Sequence, residues 1–339
     1  MHTPTLLERM LSMKTNIHTL IQRKRKAALS AILTIGLTAS IISHAAAGER
    51  VVIGTPGSIS DNSIAVKVAI DKGFYEEAGL DVELVNFKGG APSIQALVGG
   101  GIQYAIAAPE HVTRLRQWGV DAVVAFALHG SHTYALLSAP GSDVKSFKDL
   151  IGKRVGITSS GSLTENLIRL EALDQNLTVG KDIEVVGAGV GAAQKAALDT
   201  NRIDAGMFGN IDALQLVEQG YQVVHDWRQE SVPALALLTL ESYQQENPAI
   251  VEAVTKATLK AQQLILSDRE LLLSTLRDLY PDVSDEIIAK VADGLEKSLL
   301  PDGVFNRESY DRLQADLVQI EPELESLDYE VANPGTYLR

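Results

Sequence analysis

Residues Lys88–Glu110 read KGGAPSIQALVGGGIQYAIAAPE. The stretch parses as a glycine loop, a short helix over Ala91–Val98, a glycine turn, a strand over Tyr104–Ala107 and a new helix starting at Pro109. Short apolar strands that alternate with helices across glycine turns predict α/β layering around a parallel sheet. In such sheets ligands sit beyond the carboxyl ends of the strands, where helix N-terminal amides are free. Two ends of that kind occur here, at Lys88–Ala91 and Ala108–His111. No acid/base pair or nucleophile stands out at either, although Glu110 and His111 are adjacent there, so the stretch points to binding rather than catalysis.

The same pattern extends in both directions. Upstream, Val51–Gly54 predicts a strand that empties into Thr55–Ser60, with Asp61 or Asn62 as a cap for a helix over Ile64–Glu77. Strands follow at Val82–Val85 and Ala122–Ala127, and Tyr134–Ser138 is read as a crossing into a second α/β unit. That unit repeats the first in outline, with strands Arg154–Thr158, Ile183–Val186 and Ala205–Phe208 and a shorter one at Gln222–His225. An apolar return over Pro233–Leu240 leads to four helices, Pro248–Ser267, Asp268–Tyr280, Ser284–Glu296 and Arg307–Val318. The predicted organisation is a first lobe in two parts, 48–137 and 233–320, an inserted lobe at 138–232, a two-strand hinge and an irregular tail at 321–339.

The basic cluster Arg23–Lys26, the apolar run Ala27–Ile42 and the small residues Ala45–Ala47 have the order of a secretory signal peptide. Cleavage is expected after about Ala47, with residues 1–47 removed and the product released to a bacterial periplasm. Its 292 residues would carry 24 basic and 42 acidic side chains, a formal charge of −18. A nucleic-acid groove or an anionic membrane surface would require the opposite balance. The chain has no cysteine, which excludes disulfides, thiolate chemistry and a cysteine-linked lipid anchor.

Four segments carry a family resemblance: Ala65–Leu80 (AVKVAIDKGFYEEAGL), Lys88–Glu110, Val144–Ile157 (VKSFKDLIGKRVGI) and the alanine-rich Gly187–Ala205. The phrases Gly73–Leu80 and Lys148–Lys153 are the most specific. From about Val51 to Val318 the chain resembles periplasmic substrate-binding proteins of the aliphatic sulfonate, taurine, nitrate and thiamine-pyrimidine-precursor group of ABC importers. The resemblance implies a two-lobe, type II-like fold that closes on a small-molecule solute and docks, as a monomer, onto a permease and its ATPase. It implies a pocket formed by Ser58, Ile59 and Ser60, by Gly89, Gly90 and Ala91, and by Pro109, Glu110 and His111. The facing wall would come from Ser159, Ser160, Gly161 and Ser162, from Val190 and Gly191, and from Asn210 and Asp212.

The chemistry of these residues leaves alternatives open. The Ser159–Ser162 loop can donate to a sulfonate, carboxylate or nitrate oxygen, or Ser162 and Glu165 can simply form a capping box. Glu110 repels an anion on the same amides but would accept from an amine or amide. His129 and His132 have a spacing compatible with metal ligation, yet lack a companion set; His129 is read as an organic-ligand donor or a rim residue. Trp227 offers a stacking face. The glycines of Gly187–Gly191 lack a nucleotide signature, and neither cofactor nor metal is expected. The favoured solute is small and polar or anionic, of the sulfonate, taurine or nitrate kind. The alternatives are an aromatic carboxylate or pyrimidine-like solute, or an exported enzyme on the same scaffold. Arg114 and Arg116, one or two turns into their helix, leave the predicted rim without an arginine, which weakens a tightly held dianion.

Overall fold

A computed structural model describes residues 48–228, 230–333, 335, 337 and 338, so the expected leader and its cleavage site lie outside the described residues. Among the described residues there are ten strands: β1 (Glu49–Thr55), β2 (Leu80–Asn86), β3 (Tyr104–Ala107), β4 (Ala122–His129), β5 (Tyr134–Ser138), β6 (Arg154–Ile157), β7 (Glu184–Gly187), β8 (Ala205–Gly209), β9 (Gln222–Asp226) and β10 (Leu235–Leu240). They form two five-stranded sheets, ordered β2-β1-β3-β10-β4 and β7-β6-β8-β5-β9. This is the α/β two-lobe architecture of periplasmic binding proteins.

The sheets are mixed, where the alternating pattern predicted parallel ones. β1 runs parallel to β2 and β3, but β10 runs antiparallel to β3 and β4. In the second sheet β5 is the antiparallel strand, between β8 and β9. In each lobe the exception is the strand that enters from the other lobe, and so from the opposite end of the sheet. β5 lies wholly in the second sheet, so the first crossing falls at 130–133, ahead of the expected boundary at 137. The second crossing falls at 227–234.

Local chemistry sets the element ends. The expected helix Ile64–Glu77 breaks in two, Ile64–Asp71 and Phe74–Glu77, because Gly73 adopts φ +69°. Ser284 accepts from the Ile287 amide, and Asn306 accepts from the Glu308 and Ser309 amides, so both act as N-caps. A helix at Glu241–Glu246 and a short one at Tyr329–Ala332 add to the expected set; the latter lies within the tail read as irregular.

Each sheet carries apolar packing on both faces. β3, β4 and β5 are buried along their whole length, which accounts for their unbroken apolar sequences. The C-terminal helices complete the first lobe: Pro248–Ser267 packs on Ile64–Asp71, and Tyr75 Oη bonds Thr258 Oγ1 at 2.7 Å beneath them. The lobes share core contacts as well. Ile211 of the second packs into the cluster of the first, and Ala108 of the first packs into that of the second.

Candidate functional site

β1 empties into the loop that builds one wall of the cleft. Thr55 Oγ1 donates to the Gly57 carbonyl at 2.5 Å and turns the chain. Ser60 and Ser63 then cap one another, with the Ser60 amide donating to Ser63 Oγ at 3.2 Å, around a single 3-10 turn at Asp61–Ser63. This turn presents Asp61 and Asn62 to a cavity of about 370 Å³ between the lobes. The second lobe contributes Thr158, the segment Val190–Ala192, Met207 and the segment Gly209–Asp212, while Tyr134 stands at the crossing. Tyr280, from the end of the helix Arg269–Leu279, completes the enclosure.

Asp61 is anchored from both lobes. Tyr280 Oη donates to Oδ1 at 3.0 Å, and Asn210 Nδ2 of the opposite lobe donates to Oδ2 at 3.2 Å. Burial nevertheless raises the Asp61 pKa, against the opposing effect of those two donors. Asp212 is half-buried; burial first, and then the charge of Asp61, push it up to about 6. The same causes push Tyr134 up to about 12, so its hydroxyl stays protonated. Asn62 Oδ1 is buried with no hydrogen-bond partner. Among the described residues no lysine, arginine or histidine lines this cavity. Its acidic groups are the two carboxyls, Asp61 and Asp212, and its orphaned buried atom is an acceptor.

Ser58, Ser60, Val190, Gly191, Asn210 and Asp212 line the cavity as the sequence reading expected; Ile59, between two of them, does not. The glycine loop and the serine loop meet each other instead. A Cβ added at Gly89 would stand 2.9 Å from Ser159 Oγ and 3.2 Å from Ser162 Oγ. The Ala91 amide donates across the seam to Ser162 Oγ at 3.2 Å, and Ser162 Oγ bonds Ser159 Oγ at 2.6 Å. Glu165 accepts from the Gly161 amide at 2.7 Å and from Ser160 Oγ at 3.2 Å. The alternative capping box of Ser162 and Glu165 does not form, and the Ser162 hydroxyl instead accepts from the other lobe. Gly90 packs toward His111, whose imidazole is buried and lowered to about 3 by desolvation and then by Arg114.

Pro109, Glu110, His111, His129 and Trp227 also lie away from the 370 Å³ cavity. Glu110, next to the N-capping Pro109, is buried and accepts from Asn166 Nδ2 at 3.2 Å. His111 shares its helix. His129 is a core residue, its Nδ1 within 3.1 Å of Ser298 Oγ, and burial lowers it to about 4. Trp227 stacks on His225 with ring centroids 4.3 Å apart and borders a separate, smaller cavity together with Glu110. Asn166 engages Glu110 and Ser298 engages His129 from far away in sequence, whereas Trp227 packs on its near neighbour His225. No three metal-ligating side chains cluster among the described residues. Conversely, Asp61, Asn62, Tyr134 and Tyr280 escaped the sequence reading as site residues.

Arg114 ties the seam together. Its Nε reaches both oxygens of Glu321 at 3.0 and 3.1 Å, and its Nη2 donates across the seam to Asn166 Oδ1 at 2.9 Å. Removing one partner of a buried ion pair strands the other charge and costs about 3 kcal/mol. Arg114→Met is therefore expected to lower the urea midpoint clearly, whereas Arg50→Met, at an exposed pair with Glu83, leaves it within error.

The fold and cleft define a two-lobe binding protein. A family model described as NMT1/THI5 like matches residues 60–270, and the chain belongs to that family. It is similar to the formylaminopyrimidine-binding protein of Halalkalibacterium halodurans, 25% identical over 252 residues that cover 70% of this chain and 74% of that one. A solved structure from Bordetella bronchiseptica RB50 superposes with a TM-score of 0.77 at 24% identity, covering 86% of this chain and 96% of its own. The periplasmic aliphatic sulphonate binding protein SsuA from Escherichia coli superposes at 0.65 with 21% identity, over 86% and 99%.

Proposed function

We propose that the chain is an exported solute-binding protein whose cleft captures a small organic solute rich in N–H donors. The best-fitting class is an aminopyrimidine or a related organic cation. One observation carries this reading: the cavity wall presents Asp61, Asp212 and the unpartnered Asn62 Oδ1, and no cationic side chain answers them. Buried acceptors without partners favour a ligand that donates. The rings of Tyr134 and Tyr280 beside the carboxylates suit a flat or positively charged solute. The same wall is unfavourable for a sulfonate or nitrate, so the pyrimidine-like alternative of the sequence reading is preferred to the sulfonate-like one. The name of the formylaminopyrimidine-binding relative agrees with that choice. In this reading the protein works in the periplasm, binds without catalysis or cofactor, and delivers its solute as a monomer to an ABC permease and its ATPase.

Calorimetric titration with 4-aminopyrimidines, alkanesulfonates and nitrate tests the reading. Saturable heat from the aminopyrimidines alone supports it; tight binding of a sulfonate or nitrate overturns it. The pH dependence provides a second check. Asp212 has a folded pKa of about 6, above its ordinary value of 3.8. Between those values the folded state binds more protons than the unfolded one, so this group's contribution to ligand-free stability falls as pH rises. Over the same interval Asp212 becomes charged, so affinity for a permanently cationic solute rises. Opposite slopes for melting temperature and affinity in the wild type, both flattened in Asp212→Asn, are the expected result.

A further inference from the structure

A second cavity of about 130 Å³ lies on the hinge side of the seam. The helix Leu163–Asp174 of the second lobe and the helix Arg307–Ile320 of the first wall it. Its floor comes from both crossings, with His132 from one and Trp227 and Val232 from the other. Two lining atoms are buried polar groups without a protein partner, Glu110 Oε2 and His132 Nδ1. Their residues are only 3% and 5% exposed. The Glu110 Oε1 is already satisfied by Asn166, so Oε2 is the free half of a held carboxylate. Trp227, 2% exposed, offers an apolar face beside them. The charged lining is otherwise acidic at Glu171, Asp174, Glu230 and Asp316, with Arg312 as its one cation among the described residues.

A native fold rarely leaves two buried polar atoms of one cavity unsatisfied without a role for them. Both can accept from N–H groups, the imidazole because burial keeps it neutral by lowering it to about 4. We propose that this hinge-side cavity is a second binding site, for a small organic ammonium with a short apolar arm. The ammonium bonds Glu110 Oε2 and His132 Nδ1, and the arm lies against Trp227. The volume is below the roughly 150 Å³ of an apolar cavity that accepts benzene, which limits the arm to a short alkyl chain. This site stands apart from the 370 Å³ cavity and does not depend on what that cavity binds.

The chain has two tryptophans, and Trp118 is 72% exposed while Trp227 lines the site. In the full chain carrying Trp118→Phe, emission therefore reports on Trp227 alone. Propylammonium is the probe, with propionate as the control of opposite charge. The expected result is a saturable emission change with propylammonium only. It should need at least tenfold more probe in Glu110→Gln and persist in Asp212→Asn. Leu170→Phe, which narrows the cavity at a half-buried lining position, should also weaken it. An absent response, an equal response to propionate, one lost in Asp212→Asn, or one indifferent to both Glu110→Gln and Leu170→Phe would overturn the proposal.

Discussion

Replacing Asp61 with asparagine should lower affinity for an aminopyrimidine or organic cation by roughly a hundredfold while leaving the ligand-free protein at least as stable as before. The affinity estimate follows from the cost of truncating one member of a buried charge pair, about 2–5 kcal/mol. The stability expectation follows from the opposite sign of the charge's effect when no ligand is present. Burial raises the Asp61 pKa despite donors from Tyr280 and Asn210, so the charge itself is disfavoured in the folded state. The asparagine is isosteric and removes that penalty. Calorimetric titration and thermal melting of the same preparation check the two halves. A loss of binding accompanied by a loss of stability would mean that Asp61 is structural and that the carboxylates do not set ligand charge.

Gly89→Val should keep the cleft from shutting. Gly89 has φ +115°, and a Cβ there would stand 2.9 Å from Ser159 Oγ and 3.2 Å from both Ser162 Oγ and Thr158 Oγ1 of the opposite lobe. Valine adds two methyl groups at this contact and strains the backbone by about 1–3 kcal/mol. Affinity for the solute is expected to fall at least tenfold, and small-angle scattering with ligand present should give the larger radius of gyration of an open form. The milder pair Gly89→Ala and Gly89→Ala/Ser159→Ala separates the effects, because deleting the serine hydroxyl relieves the clash but not the φ strain. Wild-type affinity and compaction in Gly89→Val would show that closure does not pass through this seam.

Much of the fold was legible because its signals are local. The apolar runs Ala122–Ala127, in an edge strand, and Tyr134–Ser138, in an interior one, are buried along their whole length, and Ser284 and Asn306 cap where their positions suggest. Strand direction was not legible, because it depends on which lobe the chain enters from. The site divides in the same way. Ser58, Ser60, Val190, Gly191, Asn210 and Asp212 sit on strand exits and could be placed by pattern alone. Asp61 sits on such an exit too, but its position before a helix made a cap the simpler reading. Tyr280 meets Asp61 across 219 residues, and no short-range pattern announces that contact. Glu110 and His129 lie away from the cleft cavity for the converse reason: Asn166 holds one oxygen of Glu110 and Ser298 holds His129, both from distant parts of the chain.

A cleft that selects for donors and positive charge should carry such a solute through purification. Native mass spectrometry of the protein purified without added solute, before and after mild denaturation, reads this out. The expected result is release of a small, nitrogen-rich compound that ionises as a cation, retained by the wild type and absent from Asp61→Asn. Release of a sulfonate or nitrate, held equally by both proteins, would contradict it.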